Sequence, residues 1–591
     1  MVLSANQDVF TSEYLCTTER YAWKLKDIFA KNSESFTEYF FQKKKFLLNG
    51  QIAEDDGTLL RLLPDPWLLK DLKIACERII QAIQKKEKIT IFGDYDVDGT
   101  TSCAMLQQFF SEINYPVDIY IPDRLLEGYG LNSTGLKKLA TQQTKLVITV
   151  DNGISAVAAC EESKLLGIDV IITDHHDIPP ILPNAFAILN PKQENCYFPE
   201  KMIAGVGVAF YLLIGLRQKL KENAFKCEVN LKNYLDFVAI GTIADMAPLV
   251  GANYILCKIG LEVLLQNINL GNRLGIQELL LCAGWKLGQK VTASDIGFKI
   301  GPRLNAAGRL GNALRSVELL RTNDLSSAKE MAFHLHQENS ERQLLEKQFT
   351  EEAFQLVHKM SSIPDALVLH QPHWHPGVVG LVATRVLEKF YRPVLVFGTV
   401  DGKLKGSGRS THAFNLFAML NAVREQFLSF GGHFHAVGLT IAPEKFEWLT
   451  EYLHLQAKMN IQIQDKTPLL KVDGLLSLNS LTLSLVEKLE ELEPYGVENP
   501  RTRWLLGPVQ VRHVKRIGKD ISQNHAKVLF YDGGSEAWLT AFGLAEVFEQ
   551  FLETGIGVQL VVEAKLTVWN GRLTTDVRVI DYAPVLSSSS F

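Results

Sequence analysis

Residues 89 to 99, ITIFGDYDVDG, constrain this chain more than any other stretch. An apolar, β-branched run empties into three carboxylates, Asp94, Asp96 and Asp98, set two residues apart. A short apolar run of this kind reads as a buried strand, and the glycine behind the third carboxylate opens the next helix. Three anions so close together repel one another strongly at a strand end, so positive charge must sit among them, and divalent cations meet that need. A calcium loop does not fit, because its twelfth-position Glu is here Met105.

The same device recurs. LVITV (146–150) ends in Asp151, Asn152 and Gly153, and DVIIT (169–173) ends in Asp174, His175 and His176. Helix-like stretches separate the runs, as in a βαβ series whose strand ends line one crevice. A fourth carboxylate, Asp245 in GTIAD, follows the apolar segment Phe237 to Ile243 and is expected to close the site. Asp151 alone would read as a helix cap or Asx turn, and it is the convergence of all four motifs that points to chemistry.

These residues carry a resemblance. GDYDVDG, VDNG, TDHH and GTIAD resemble motifs one to four of the DHH phosphoesterase family, in an order and spacing similar to its single-strand-specific DNA exonucleases. The likeness continues through GPRLNAAGRL (301–310), HPGVVGLVATRV (375–386), GSGRS (406–410), GGHFHAVG (431–438) and PYGVENP (494–500), so it covers residues 60 to 585. It departs locally at Pro376, where an acidic residue is common, and at Val437, which replaces a small one. The resemblance implies hydrolysis of single-stranded DNA from the 5′ end to mononucleotides, a role in DNA repair and recombination, and cooperation with a helicase and a single-strand-binding protein. A DHH phosphodiesterase acting on short oligonucleotides or cyclic dinucleotides, and a non-catalytic DNA-binding replication factor, are the alternatives.

A chain of 591 residues, 47% hydrophobic and 21% charged, holds several domains and ample core. Its net charge of −5 excludes a uniformly basic nucleic-acid coat, so DNA contacts must be local patches. Eight scattered cysteines without CxxC spacing point to reduced thiols. The start lacks a signal-peptide pattern and no apolar run is long enough to span a bilayer, so a cytoplasmic protein without membrane contact is expected.

The expected architecture is α/β, two α/β domains joined by a long helix and followed by an all-β OB-fold barrel. Residues 1–60 carry no clear signal. A DHH catalytic domain is expected over 61–252, a helical region over 253–362, a DHHA1-like α/β domain over 363–462, the barrel over 463–585 and a tail over 586–591. The unbroken amphipathic run from Leu325 to Met360 is too long for an ordinary helix and reads as the connecting spacer.

Two Mn²⁺ or Mg²⁺ ions per site would supply the chemistry that phosphodiester hydrolysis needs. Asp151 is expected to bridge them, with Asp94 and Asp96 toward one and Asp98, His175 and Asp245 toward the other. That leaves His176 to act on the scissile phosphate or on a proton. In GPRLNAAGRL, read as a flexible turn, Arg303, Asn305 and Arg309 are candidate phosphate contacts. GSGRS and GGHFHAVG read as glycine-rich turns in which Ser407 and Arg409 would hold a terminal phosphate and His433 would reach the scissile group. The resemblance favours phosphate for Arg124 and the 5′ end for Ser407 and Arg409. In the barrel, Lys515, Arg516, Lys519 and Lys527, interleaved with Trp538, Phe542 and Trp569, suit a surface that tracks a phosphate backbone and stacks bases.

Overall fold

The structure, a computed structural model, describes residues 14–18, 20–30, 36–53, 56–123, 127–128, 130–310, 312–518, 523–569 and 571–585. Arg124, Lys519 and the side chain of Trp569 lie outside the described residues. The chain forms two compact units, one of Lys44–Glu341 with Glu493–Pro500, the other of Met1–Lys43, Arg342–Leu492 and Arg501–Phe591.

The first unit is built on five parallel strands in the spatial order Val117–Tyr120, Lys88–Phe92, Thr144–Val150, Asp169–Thr173 and Ala187–Leu189. The three central strands are continuous apolar runs, with Ile89, Ile91, Leu146, Ile148, Val170 and Ile172 all buried, as a sheet covered on both faces requires. The register sets Phe92 opposite Tyr120 and Thr149, Val150 opposite Thr173, and Thr173 opposite Leu189. The chain therefore leaves the sheet along one edge immediately before Asp94, Asp151, Asp174 and Asn190. Helices Val97–Glu112, Gly205–Glu222 and Leu235–Ala244, largely buried, pack together and contact one another behind that edge.

GPRLNAAGRL is not a turn but the helix Gly301–Leu310, following a π-helical segment, Ile296–Ile300. The backbone stays helical through Gly301, so Pro302 falls just after the π-helical turn within a continuous helical run, and Ala306 and Ala307 favour the helix. Gly308 serves close approach, since a Cβ there would stand 2.4 Å from the Tyr95 carbonyl oxygen. The connecting helix runs from Leu325 to His358, 34 residues.

The second unit holds two sheets. One, in the order Ser429–His433, Ala436–Ile441, Lys403–Arg409, Val394–Val400 and Leu367–His370, packs against helix Val379–Phe390. GSGRS is not a turn here. It lies within strand Lys403–Arg409, paired on both sides, so its backbone groups serve the ladders. Its glycines clear neighbouring side chains, because a Cβ at Gly406 would meet the Phe397 ring at 2.4 Å and one at Gly408 would meet Val437 at 2.6 Å. GGHFHAVG is a hairpin, turning at Phe434 and His435.

The other sheet is the barrel. Strands Arg503–Ile517, His525–Tyr531, Glu536–Ala541, Arg572–Pro584 and Val558–Trp569 pair in that order, and the last pairs back to the first, closing five strands. Strand Leu469–Leu476 adds in parallel to Arg503–Ile517, and Ala22–Ala30 adds in parallel to it, with Tyr14–Thr17 outermost. The N-terminal segment thus belongs to the barrel sheet. Trp23 is fully buried and donates its indole N–H to Asp581 at 2.7 Å, and the Tyr39 hydroxyl donates to Asp473 at 3.0 Å. No helix among the described residues is long and apolar enough to cross a membrane.

Candidate functional site

The strand ends of the first unit bring Asp94, Asp96, Asp98, Asp151, His175 and His176 together, and the C-terminus of helix Leu235–Ala244 adds Asp245. Among the described residues three ligand groups emerge, Asp94 with Asp96 and Asp151, Asp98 with His175 and Asp245, and Asp151 with His175 and His176, each offering atoms within 4.8 Å of one another. Asp151 is common to two of them. His175 Nε2 stands 3.1 Å from an Asp151 oxygen, 3.8 Å from Asp98 and 3.9 Å from Asp245.

Local chemistry fixes each side chain. Asp96 caps helix Val97–Glu112, accepting from the Gly99 amide at 3.0 Å. Asp151 takes the left-handed region, φ +60°, a conformation that Asp tolerates better than most residues. Asn152 then ties adjacent strand ends together, donating to the carbonyls of Phe92 and Val150 and accepting from the Leu131 amide. Asp98, buried, accepts from the amides of Gly205 and Val206 at 2.7 Å each, so the N-terminus of helix Gly205–Glu222 points at a carboxylate of the centre. Gly205 must lack a side chain there, since a Cβ would sit 2.7 Å from an Asp151 oxygen.

The electrostatics of the donor set by itself are those of an anionic cluster. Burial, then the charge of Asp96, raises Asp98 to about 7, against the lowering pull of the two amides. Burial and the neighbouring carboxylates lift Asp151 and Asp245 well above the ordinary range. His175 falls to about 3, first by burial and then by the charge of His176, so it is a neutral imidazole among carboxylates. His176 behaves oppositely. Burial disfavours its charge, but the Asp174 carboxylate, hydrogen-bonded to Nδ1 at 2.7 Å, with Asp245 and Asp96, raises it to about 9. Buried carboxylates with a neutral imidazole are the hard oxygen and borderline nitrogen donors that Mn²⁺ and Mg²⁺ sites use, so the residues fit such ions.

Asp174, part of TDHH, was not singled out from the sequence as a site residue. Its carboxylate gathers the amides of Ile154, His175 and His176 as well as the His176 ring, and those contacts outweigh burial to hold it near 2. A buried Asp directly before two histidines is the signal that would have found it. The amides of Gly205 and Val206 had no comparable signal, because GVGVAF reads equally well as close helix packing.

The remaining candidates are placed as follows. Arg303 is buried in the helical layer, donating to the Lys299 carbonyl at 2.7 Å and to His336 at 3.1 Å. Asn305 and Arg309 follow it on the same helix, and Arg309 lines a cleft with Tyr95. In the second unit Arg409 donates to Ser407 Oγ at 3.1 Å and to the Gly408 carbonyl at 2.7 Å. Helix Val379–Phe390 begins beside them, since a Cβ at Gly380 would lie 3.2 Å from Ser407 Oγ. His433 ends its strand, exposed. On the barrel Lys515 pairs across to Lys527, Lys527 to Thr540 and Thr540 to Arg578, a transverse row that adds Arg578 to the residues expected. Trp538 and Phe542 are each 47% exposed, and the Arg578 guanidinium covers the Phe542 ring at 5.2 Å. Arg516 is instead engaged by Glu549 through two bonds, at 2.8 and 2.6 Å.

Comparison with known proteins accords with this geometry. Residues 88–242 match the DHH family, N-terminal domain, residues 363–458 the DHHA1 domain, and residues 472–581 the RecJ OB domain. The chain is 37% identical over 521 residues to the single-stranded-DNA-specific exonuclease RecJ of Bacillus subtilis, covering 88% of this chain but 64% of that protein. It is 37% identical over 493 residues to the enzyme of that name from Haemophilus influenzae, covering 80% of this chain and 84% of the relative. The crystal structure of RecJ in complex with Mn²⁺ from Thermus thermophilus superposes with a TM-score of 0.72 at 28% identity, covering 92% of this chain and 75% of that one. Similarity of this extent, through all three domains, shows that the chain belongs to the RecJ family of DHH phosphoesterases.

Proposed function

We infer that this chain is a metal-dependent exonuclease specific for single-stranded DNA. The observation that carries it is the set of carboxylates and two histidines on one edge of a parallel sheet, with Asp151 shared between two ligand groups. Asp94, Asp96 and Asp151 would hold one divalent cation, and Asp98, His175, Asp245 and Asp151 a second, Mn²⁺ or Mg²⁺ in each place. Two such ions supply charge neutralisation at the phosphoryl oxygens and a deprotonated water.

The protein's own groups do the rest. The Gly205 and Val206 amides orient Asp98, and Asp174 fixes the ring of His176. His176, facing the centre, can when protonated donate to a phosphoryl oxygen or give its proton to the leaving 3′ oxygen. Arg309, Asn305 and Arg303 are the phosphate contacts proposed in this unit, with Arg124 from outside the described residues.

Direction is read from the second unit. Ser407 and Arg409, beside the first turn of helix Val379–Phe390, combine a hydroxyl and a guanidinium, which suit a terminal phosphate better than an internal diester. This pocket is proposed as the 5′-phosphate anchor, with His433 as a neighbouring substrate contact, and hydrolysis then runs 5′ to 3′ with release of mononucleotides. The row Lys515, Lys527 and Arg578 with Trp538 is proposed as the barrel's single-strand track. A cytoplasmic role in repair and recombination, alongside a helicase and a single-strand-binding protein, is proposed with it, and family membership supports that reading. The test is a time course on strands labelled at either end, with and without Mn²⁺. Metal-dependent loss of the 5′ label first is expected, and release from the 3′ end first would refute the polarity.

A further inference from the structure

PYGVENP (494–500) has no part in the chemistry described so far, yet it packs onto the unit that holds the metal centre. The chain on either side of it, at Leu492 and Arg501, belongs to the other unit, while Glu493–Pro500 belongs to this one. The segment is a strap of defined shape. Asn499, buried, donates to the Pro494 carbonyl at 2.8 Å, and the Gly496 amide donates to the Asn499 carbonyl at 2.9 Å. Its middle meets the loop that follows Asp245. The Leu249 amide donates to the Val497 carbonyl at 2.8 Å, and Gly496 lies so close that a Cβ there would stand 2.7 Å from the Leu249 side chain. Lys290 adds an ion pair to Glu493 at 3.0 Å.

That loop needs fixing. Helix Leu235–Ala244 closes at Asp245 with Met246 in the left-handed region, φ +61°, a conformation that a non-glycine residue holds only where its surroundings over-determine it. The amides of Asp245, Met246 and Ala247 reach back to carbonyls of the helix, and beyond them the loop is hydrogen-bonded to the strap and to Asn253. The Asn253 side chain, buried, donates to the Pro248 carbonyl at 3.0 Å and to the Met202 carbonyl at 2.8 Å, and accepts from the Ala204 amide at 3.4 Å. Residues 202–204 run directly into Gly205 and Val206, whose amides hold Asp98. One side-chain amide thus joins the segment before the Asp98 clamp to the segment after Asp245. Both carboxylates belong to the same ligand group, with His175.

We propose that Asn253 and the strap Glu493–Pro500 are positioning elements for the cation held by Asp98, His175 and Asp245. Asn253 sets the two carboxylates at one spacing, and the strap clamps the far end of the Asp245 loop. Both act through the backbone that carries the ligands. Groups behind metal ligands orient them in this way, and removing one costs roughly 10–100-fold in metal affinity. The inference rests on the two-cation reading of the centre and gives PYGVENP a role in it.

Two variants of the full chain test it, Asn253→Ala, and Asn499→Ala, which loosens the strap while leaving Asn253 in place. In the metal-free chain, hydrogen exchange at the Leu249 amide should be about tenfold faster in Asn499→Ala than in the native protein. In a Mn²⁺ titration followed by electron paramagnetic resonance, each variant should weaken about tenfold the same affinity class that Asp245→Asn loses, with the other class unchanged. Hydrolysis of a labelled single strand should then need correspondingly more Mn²⁺, with native turnover regained at saturation. Variants that fold and keep both affinities at native values overturn the proposal, whatever their melting temperatures, and so does unchanged Leu249 exchange in Asn499→Ala. Should Asn253→Ala not fold, Asn499→Ala decides alone. A native chain that saturates with one ion removes instead the two-cation reading on which the proposal rests. One that binds two ions, responds to both substitutions and leaves DNA intact removes the nuclease reading alone.

Discussion

Replacing Asp174 by Asn tests how the second histidine is positioned. Four N–H groups converge on this buried carboxylate, the amides of Ile154 at 2.9 Å, His175 at 2.7 Å and His176 at 3.0 Å, and the His176 ring at 2.7 Å. Asparagine keeps one acceptor oxygen and turns an NH₂ group toward the remaining donors, so at least one buried N–H loses its partner, at about 1–3 kcal/mol. Independently, contacts that draw Asp174 from 3.8 to about 2 correspond to roughly 2.5 kcal/mol at 1.36 kcal/mol per pH unit. The two routes agree. Because the folded carboxyl lies below its unfolded value, this stability is present above pH 3.8 and lost only as pH falls through about 2, so a melt at pH 7.5 reports it fully. The transition of the first unit should drop by roughly 2–5 °C. His176, held near 9 in the metal-free chain, contributes stability that is complete below its unfolded value of 6.5 and lost as pH rises through 9. In the variant its titration, followed by imidazole NMR, should move toward 6.5, and turnover with Mn²⁺ should fall about 100-fold, as when a charge-stabilising or proton-donating group is lost. A melt unchanged to about 1 °C, or a lowered melt with His176 still titrating near 9, would refute the positioning argument.

Three further outcomes are expected. In the metal-free chain Asp98, Asp151 and Asp245 lie above their unfolded values, so folding is opposed increasingly as pH rises from about 4 through 7. Cations that relieve this repulsion should therefore raise the melting temperature more at pH 8 than at pH 6, and equal shifts would count against the cluster as the binding place. A 5′-phosphorylated strand should be degraded faster than its 5′-hydroxyl counterpart, and Arg409→Ala should erase most of the difference; equal rates for the two native termini would remove the anchor from this pocket. Lys515→Glu with Lys527→Glu should weaken binding of long strands and lower the steepness of its salt dependence by about two phosphate contacts, whereas Arg516→Glu, already engaged by Glu549, should do less.

The centre was legible because each ligand directly follows an apolar β-branched run, and the parallel register turns that local pattern into one edge. Where the sequence misled, the determinants were not local. Gly406 and Gly408 read as turn formers but relieve contacts with Phe397 and Val437 across paired strands. The glycines of GPRLNAAGRL read as flexibility, but Gly308 answers to the Tyr95 carbonyl, more than 200 residues earlier in the chain. YAWKLKDIFA does alternate as a strand, yet its partner, Leu469–Leu476, lies more than 400 residues away, and no local pattern announces such a pairing. The position of Asp174 directly before two histidines marks it in the sequence, but its positioning role rests on four donors that converge on one carboxylate only once the chain is folded.

The central claim is that one cluster holds two cations through a shared Asp151. Titration of metal-free protein with Mn²⁺, followed to saturation and paired with hydrolysis of a labelled single strand, measures it most directly. Two ions per native chain are expected, with Asp151→Asn retaining its fold, losing at least one ion and losing hydrolysis. Saturation at a single ion, or full activity of Asp151→Asn or of the native chain in excess chelator, would contradict it.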